Sequence, residues 1–199
     1  MVLCQGMQAL SLQERTLPEL KIYTGPMHGG KTTRLLAQLE RYVYQNKKVK
    51  LFKPAIDDRF SVESVVTHSG KEWKAFRVNS AKEIIINSTH AEVVAVDEMF
   101  MIPHSAEALL QLYSQGKTIL VSTLQLSYEP KPFEEVQKLM PWATSIDICP
   151  AVCTRCDKDA YYTRRISGGD EQIQVGGAES YEPLCFEHYT GLKPLLKTS

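Results

Sequence analysis

Three groups of residues in this chain have the types and spacing to do chemistry. The first is Gly25-Pro26-Met27-His28-Gly29-Gly30-Lys31-Thr32, with Thr33 behind it, which matches G-x-x-x-x-G-K-[ST] at each defined position. Phosphates need many donors at short range. Glycines let a backbone wrap them, and a following helix N-terminus adds aligned N–H groups of partial positive charge. In such a loop Lys31 reaches the β- and γ-phosphates of ATP, and the Thr32 hydroxyl ligates Mg²⁺.

The second group ends the apolar run Val93-Val94-Ala95-Val96 with two carboxylates, Asp97 and Glu98. Asp97 suits the metal of a phosphate loop, held directly or through water. Glu98 suits the orientation or deprotonation of a nucleophile, either a water or a substrate hydroxyl. The pair alone does not separate a kinase from a RecA-like ATPase, since both need a base near the γ-phosphate.

The third group is Cys153-x-x-Cys156 and Cys185-x-x-His188, two pairs separated by 28 residues. Each pair can grip half a tetrahedron, as a closed structural Zn²⁺ site requires. Four protein ligands leave no position for water, so such a metal folds the segment rather than catalysing. Cys149 competes as a ligand by position, and His188 is also compatible with an ordinary surface histidine. Cys4 has no evident place in the set.

The elements that must position these groups follow from local pattern. Leu20–Thr24 reads as a strand stopped by Gly25-Pro26. Lys31–Asn46 reads as a helix with Leu35, Leu36, Leu39 and Val43 on one face. Val49–Phe52, Val93–Val96, Thr118–Ser122 and Ser145–Ile148 read as strands, the second buried on both faces. Ser105–Gln115 is expected as a helix stopped by Gly116, and Phe133–Met140 as a short one. Glu83–Ile86 follows a possible Ser80 cap but fits a strand equally well. Strands alternating with helices predict an α/β fold, a RecA-like phosphate-loop core on a parallel sheet. Near Cys149-Pro150 the character shifts to cysteines, tyrosines and glycine pairs. The expected organisation is therefore an arm (1–19), the nucleotide-binding core (20–148), a small zinc-binding lid (149–192) and a tail (193–199).

Composition excludes several classes. Lys plus Arg and Asp plus Glu both number 23 in 199 residues, so the chain lacks the basic excess of a protein living on nucleic-acid polymers. No stretch approaches the roughly 18 apolar residues of a membrane helix, and residues 1–19 do not read as a secretory signal. Five cysteines, three of them clustered, fit a reducing compartment and metal before disulfides. A cytoplasmic protein with no membrane partner is expected.

Several further segments are specific in combination: Lys53-Pro54, Asp57-Asp58-Arg59-Phe60-Ser61, Thr67-His68-Ser69-Gly70, Gly116-Lys117-Thr118, Lys131-Pro132-Phe133, Ala151-Val152-Cys153 and Gly176-Gly177-Ala178. With the phosphate loop and Val96-Asp97-Glu98, these make the chain resemble the type II thymidine kinases from about Leu20 to Tyr189. The resemblance implies phosphoryl transfer from MgATP to the 5′-hydroxyl of thymidine or deoxyuridine. It implies Glu98 as general base and Arg59 steadying the transferring phosphoryl group or the substrate hydroxyl, beside Lys31 of the phosphate loop. A lasso-like loop after the zinc knuckle would cover the base. Met27, Met101, Leu124, Tyr128, Phe133, Thr163, Gln174, Val175, Gly176 and Tyr181 would form the nucleoside site. A homotetramer inhibited by thymidine triphosphate is implied as well.

The match departs in places. Relatives commonly read Asp-Glu-Gly/Ala-Gln-Phe-Phe where this chain has Asp97-Glu98-Met99-Phe100-Met101-Ile102, so Met101 stands where an aromatic packs on the base. They read Leu-Asp-Gly-Thr-Phe where this chain has Leu124-Gln125-Leu126-Ser127-Tyr128, and Pro130 stands where Arg is frequent. His188 is Cys in many relatives, an exchange zinc accepts. These departures border the nucleoside pocket and bear on substrate choice. The rival readings are a RecA-like ATPase and a nucleotide-binding relative that has lost transfer.

Overall fold

Continuous apolar runs make strands here because both faces of the sheet are covered. The computed structural model describes residues 17–57, 64–66, 72–169, 171, 173 and 175–191, with the backbone alone at 64–66 and 72. Arg59, Gln174, Cys4, the Thr67–Gly70 segment and residues 192–199 lie outside the described residues.

The order is β1 (Leu20–Gly25), α1 (Lys31–Tyr44), β2 (Val49–Pro54), β3 (Ser64–Val66), β4 (Glu72–Lys74), β5 (Phe76–Val78), α2 (Ala81–Asn87) and β6 (Val93–Val96). A 3-10 turn (Met99–Met101), α3 (Ser105–Ser114), β7 (Thr118–Leu124), α4 (Glu134–Leu139), a second 3-10 turn (Met140–Trp142) and β8 (Ser145–Ile148) follow. Strands β5-β2-β6-β7-β1-β8 form one sheet in that order, with every neighbouring pair parallel. Strands β3 and β4 make a separate antiparallel hairpin.

Alternation along the strands divides the core. Leu20, Ile22, Val94, Val96, Ile119 and Val121 face α2, α3 and α4. Tyr23, Leu51, Val93, Ala95 and Leu120 face α1, which buries Leu35, Leu36, Leu39 and Tyr42 against them. Each such aliphatic side chain contributes about 1.5–3 kcal/mol when fully buried.

Two local expectations change. Val43, placed by periodicity on the inner face of α1, is exposed, and Tyr42 takes its place inside. The Tyr42 hydroxyl reaches the Glu19 carboxylate at 2.5 Å, which anchors the helix to the entry of β1. The isoleucine run at 84–86 is helical, because Glu83 accepts from the Asn79 N–H and the Ser80 hydroxyl and so caps the first turn of α2.

Beyond β8 the architecture changes. β9 (Ala151–Val152) pairs antiparallel with β10 (Asp159–Ala160), and β11 (Tyr162–Arg165) with β12 (Tyr181–Leu184). Helix α5 (Phe186–Thr190) closes the described chain. Among the described residues no helix is long and apolar enough to cross a membrane.

Candidate active site

The phosphate loop joins β1 to α1, with Gly30 at φ 73° as the helix cap and Lys31 and Thr32 in the first turn. Its glycines answer a specific contact. A Cβ on Gly25 or Gly29 would overlap the Cys149 carbonyl oxygen, which crosses directly beneath the loop. The Cys149 N–H donates to the Thr24 carbonyl at 2.7 Å, so the start of the small unit is stitched to the end of β1. The Lys31 ammonium is buried and donates to the Pro26 carbonyl at 2.6 Å across the loop. His28 and Thr33 are exposed.

Asp97 follows β6, which β7 separates from β1. The Thr32 hydroxyl spans that gap and meets both Asp97 carboxylate oxygens, at 3.0 and 3.2 Å. Ser122 of β7 donates its hydroxyl to Asp97 and accepts the Glu98 N–H at 3.2 Å. Burial pushes the Asp97 carboxyl up to about 6, with the neighbouring Glu98 charge adding to the rise and the Ser122 and Thr32 hydrogen bonds opposing it. Two buried carboxylates beside a hydroxyl make an all-oxygen donor set that suits a hard cation such as Mg²⁺. Glu98 takes the left-handed conformation at φ 51°, a strained placement for a side chain with a Cβ.

The next three residues form the 3-10 turn, so the stretch that carries the carboxylates runs directly into the wall of a cavity. That cavity is lined by Met27, Phe100, Met101, Leu124, Leu126, Ser127, Tyr128, Phe133, Thr163, Arg165, Ile173, Gly176 and Tyr181. Eight residues expected for a nucleoside site therefore meet in one place. Val175 is described but does not line it. Phe100 and Phe133 form an aromatic wall, with ring centroids 4.4 Å apart. The Met27 N–H donates to Thr163 Oγ1 at 3.0 Å, which ties the phosphate loop to β11.

Motif reasoning passed over Ser122, Phe100, Leu126, Ser127, Arg165 and Ile173. Ser122 did leave a signal, the polar pair Ser122-Thr123 that interrupts the apolar run Ile119–Val121 of β7. Arg165 left none, because nothing local distinguishes it from Arg164.

In the small unit, Cys153 and Cys156 lie on the knuckle between β9 and β10, while Cys185 caps α5 and His188 sits on it. The His188 Nδ1 is 3.5, 3.5 and 3.3 Å from the sulfurs of Cys153, Cys156 and Cys185, and the Cys156 and Cys185 sulfurs are 3.8 Å apart. Zn–S bonds of about 2.3 Å in a tetrahedron put sulfurs roughly 3.8 Å apart, so the four side chains fit zinc as they stand. Cys149 does not join them; it is buried under α1, and burial raises its thiol.

A phosphate loop on a parallel sheet, with a carboxylate pair across one intervening strand, defines a phosphate-loop nucleotide-binding protein. The model of the thymidine kinase family matches residues 18–189. The chain is 40% identical over 184 residues to a thymidine kinase of Thermococcus kodakarensis, covering 85% of this chain and 93% of that protein. It is 37% identical over 181 residues to a thymidine kinase of Pyrobaculum aerophilum, covering 85% and 97%. The chain belongs to the thymidine kinase family.

Proposed function

We propose that the protein transfers the γ-phosphoryl group of ATP to the 5′-hydroxyl of thymidine or deoxyuridine. The observation that carries this reading is the stretch 97–101. It presents Asp97 to the phosphate loop, then Glu98, then Phe100 and Met101 as a wall of the apolar cavity. A nucleoside base held in that cavity would have its sugar beside Glu98 and the phosphate loop. A plain ATPase has no need of an aromatic pocket at this point.

In the proposed reaction the Glu98 carboxylate takes the proton of the 5′-hydroxyl. The hydroxyl oxygen bonds to the γ-phosphorus as the bond from phosphorus to the β,γ-bridging oxygen breaks, and ADP leaves. Lys31 moves from its loop carbonyl to the phosphates and, with Arg59, spreads the charge on the group in transit. Mg²⁺, held by Thr32 and Asp97, would neutralise phosphate charge when bound. The cysteine-rich unit, pinned by zinc, acts as the lid that excludes water from the γ-phosphate. Assembly as a homotetramer and inhibition by thymidine triphosphate belong to the same reading and rest on the resemblance.

The test is monophosphate formation from MgATP across thymidine, deoxyuridine, deoxycytidine and the purine deoxynucleosides, with a blank lacking nucleoside. Product with thymidine or deoxyuridine and a quiet blank is expected. Steady ATP loss in the blank with no monophosphate from any nucleoside overturns the reading in favour of an ATPase.

A further inference from the structure

Arg164 and Arg165 are neighbours on β11 and point to opposite faces of it, as strand geometry requires. Arg164 is satisfied on the outer side, where its Nε donates to the Glu182 carboxylate at 2.7 Å. Arg165 shares a face with Thr163 and turns inward to the cavity. Its guanidinium carbon lies 3.8 Å from the centre of the Tyr128 ring and 5.4 Å from that of Tyr181. One terminal nitrogen donates to the Tyr181 hydroxyl at 2.9 Å, and the other to the carbonyls of Gly169 and Glu171, both at 2.7 Å.

These contacts gather three segments that do not otherwise share a strand. Tyr128 sits on a tight loop of the core, closed by the Ser127 N–H on the Lys131 carbonyl and by the Leu126–Pro132 bridge. Tyr181 begins β12. Gly169 and Glu171 belong to the strap that leads to Ile173 and Gly176 on the cavity wall. The strap then turns so tightly that a Cβ on Gly176 would overlap Ser180, the residue before β12. A planar, permanently charged fork can stack on a ring and donate from both arms at once, which an ammonium cannot do.

We propose that Arg165 is a positioning residue for the nucleoside site, clamping the Tyr128 ring, Tyr181 and the strap into one wall over the base. It touches no reacting atom and acts through the two tyrosines. The proposal rests on the nucleoside-kinase reading for its kinetic consequence, though not for the clamp itself.

The experiment is steady-state kinetics of Arg165→Met and Arg165→Lys beside wild type, with thymidine and ATP varied separately. Arg165→Met is expected to raise the KM for thymidine about 10-fold, the scale of one desolvated cation–π contact with its hydrogen bonds. Its kcat, its KM for ATP, its zinc content and its Tm should stay near wild type, and Arg165→Lys should fall between. Tyr128→Leu, which removes the ring that Arg165 stacks on, should reproduce most of the rise. The double variant Arg165→Met/Tyr128→Leu should be no worse than the worse single. An unchanged thymidine KM in Arg165→Met, or additive effects in the double variant, overturns the proposal. Should Arg165→Met lose zinc or melt early, Tyr128→Leu decides, and a Tyr128→Leu equal to wild type overturns it. Amide exchange in residues 166–176 reads the clamp without any substrate. Faster exchange in Arg165→Met supports it and unchanged exchange overturns it, even if wild type proves to phosphorylate no nucleoside.

Discussion

In the sheet, Phe52, Val94 and Val121 are sealed from solvent on one face, and Leu51, Ala95 and Leu120 on the other. Beyond β8, the small unit's own hydrophobic cluster among the described residues is Ala151, Cys153, Ala160, Leu184 and Cys185, with Cys156 and Tyr189 packed against it, while Tyr181 joins the core of the sheet. Two of its members are alanines and two are proposed metal ligands, so the area removed from water is small. A unit of this size needs a staple, and the Cys/His cluster is placed to be one. The phosphate loop rests on the parallel sheet and is also tied to the small unit by the Cys149 N–H on Thr24 and the Met27 N–H on Thr163. The proposed lid is therefore the region whose order would depend on that staple.

The largest effect that would sharpen this contrast is confined to chemistry. Glu98→Gln is expected to lower kcat by roughly 10³-fold while ATP affinity stays near wild type. A matching loss of ATP affinity would make Glu98 part of the loop's architecture instead. Next comes the metal. Purified protein should carry about one zinc per chain, and Cys153→Ser should cut thymidine affinity by about 100-fold while the sheet keeps its far-ultraviolet signal and its ATP binding. Unfolding of the whole chain in one step on zinc removal would break the distinction between the two regions.

A smaller effect concerns Asp97, where function and stability conflict. Its carboxyl is raised from 3.8 to about 6 by burial and by Glu98, so the folded chain binds the proton more tightly than the unfolded one. Stability from this group is therefore full below about pH 4 and lost as pH rises through 6, on the order of 3 kcal/mol in all. Denaturant unfolding without nucleotide should show Asp97→Asn more stable than wild type at pH 7.5 and nearly equal at pH 4. A difference that does not change with pH would refute the account.

The smallest effect lies on the sheet side. Tyr42→Phe removes the 2.5 Å hydrogen bond to Glu19 and should cost about 1 kcal/mol at pH 7 with activity unchanged. That hydrogen bond is the leading reason the Glu19 carboxyl is lowered, with Lys21 adding to it. The contribution is present above the carboxylate's unfolded value and is lost as pH falls through the folded one. The difference between Tyr42→Phe and wild type should therefore close as the pH is taken below the ordinary carboxylate range.

Much of the core was legible because its signals are local. A loop that wraps phosphate must carry its glycines, Lys31 and Thr32 in fixed order, and a strand buried on both faces must be apolar throughout. The amphipathic stripe of α1 was legible too, except that periodicity chose Val43 where Tyr42 is inside. An aromatic residue that can send its hydroxyl to Glu19 at the edge competes well for such a position. The Cys/His pairs were readable because metal geometry restricts ligand spacing.

The cavity was legible only through the resemblance, since no run of sequence distinguishes a pocket aromatic from a packing one. Sequence by itself determined the phosphate-loop class, the parallel α/β core, the carboxylate pair and the two Cys/His pairs, since each motif is written in residues close in the chain. Tertiary structure alone decided three further points. It put the Cys149 carbonyl under the loop glycines, set Ser122 between the Asp97 carboxylate and the Glu98 backbone N–H, and turned Arg165 rather than Arg164 toward the tyrosines. Those choices depend on which strand lies beside which, and on which face of β11 meets the core, and neither is encoded at short range.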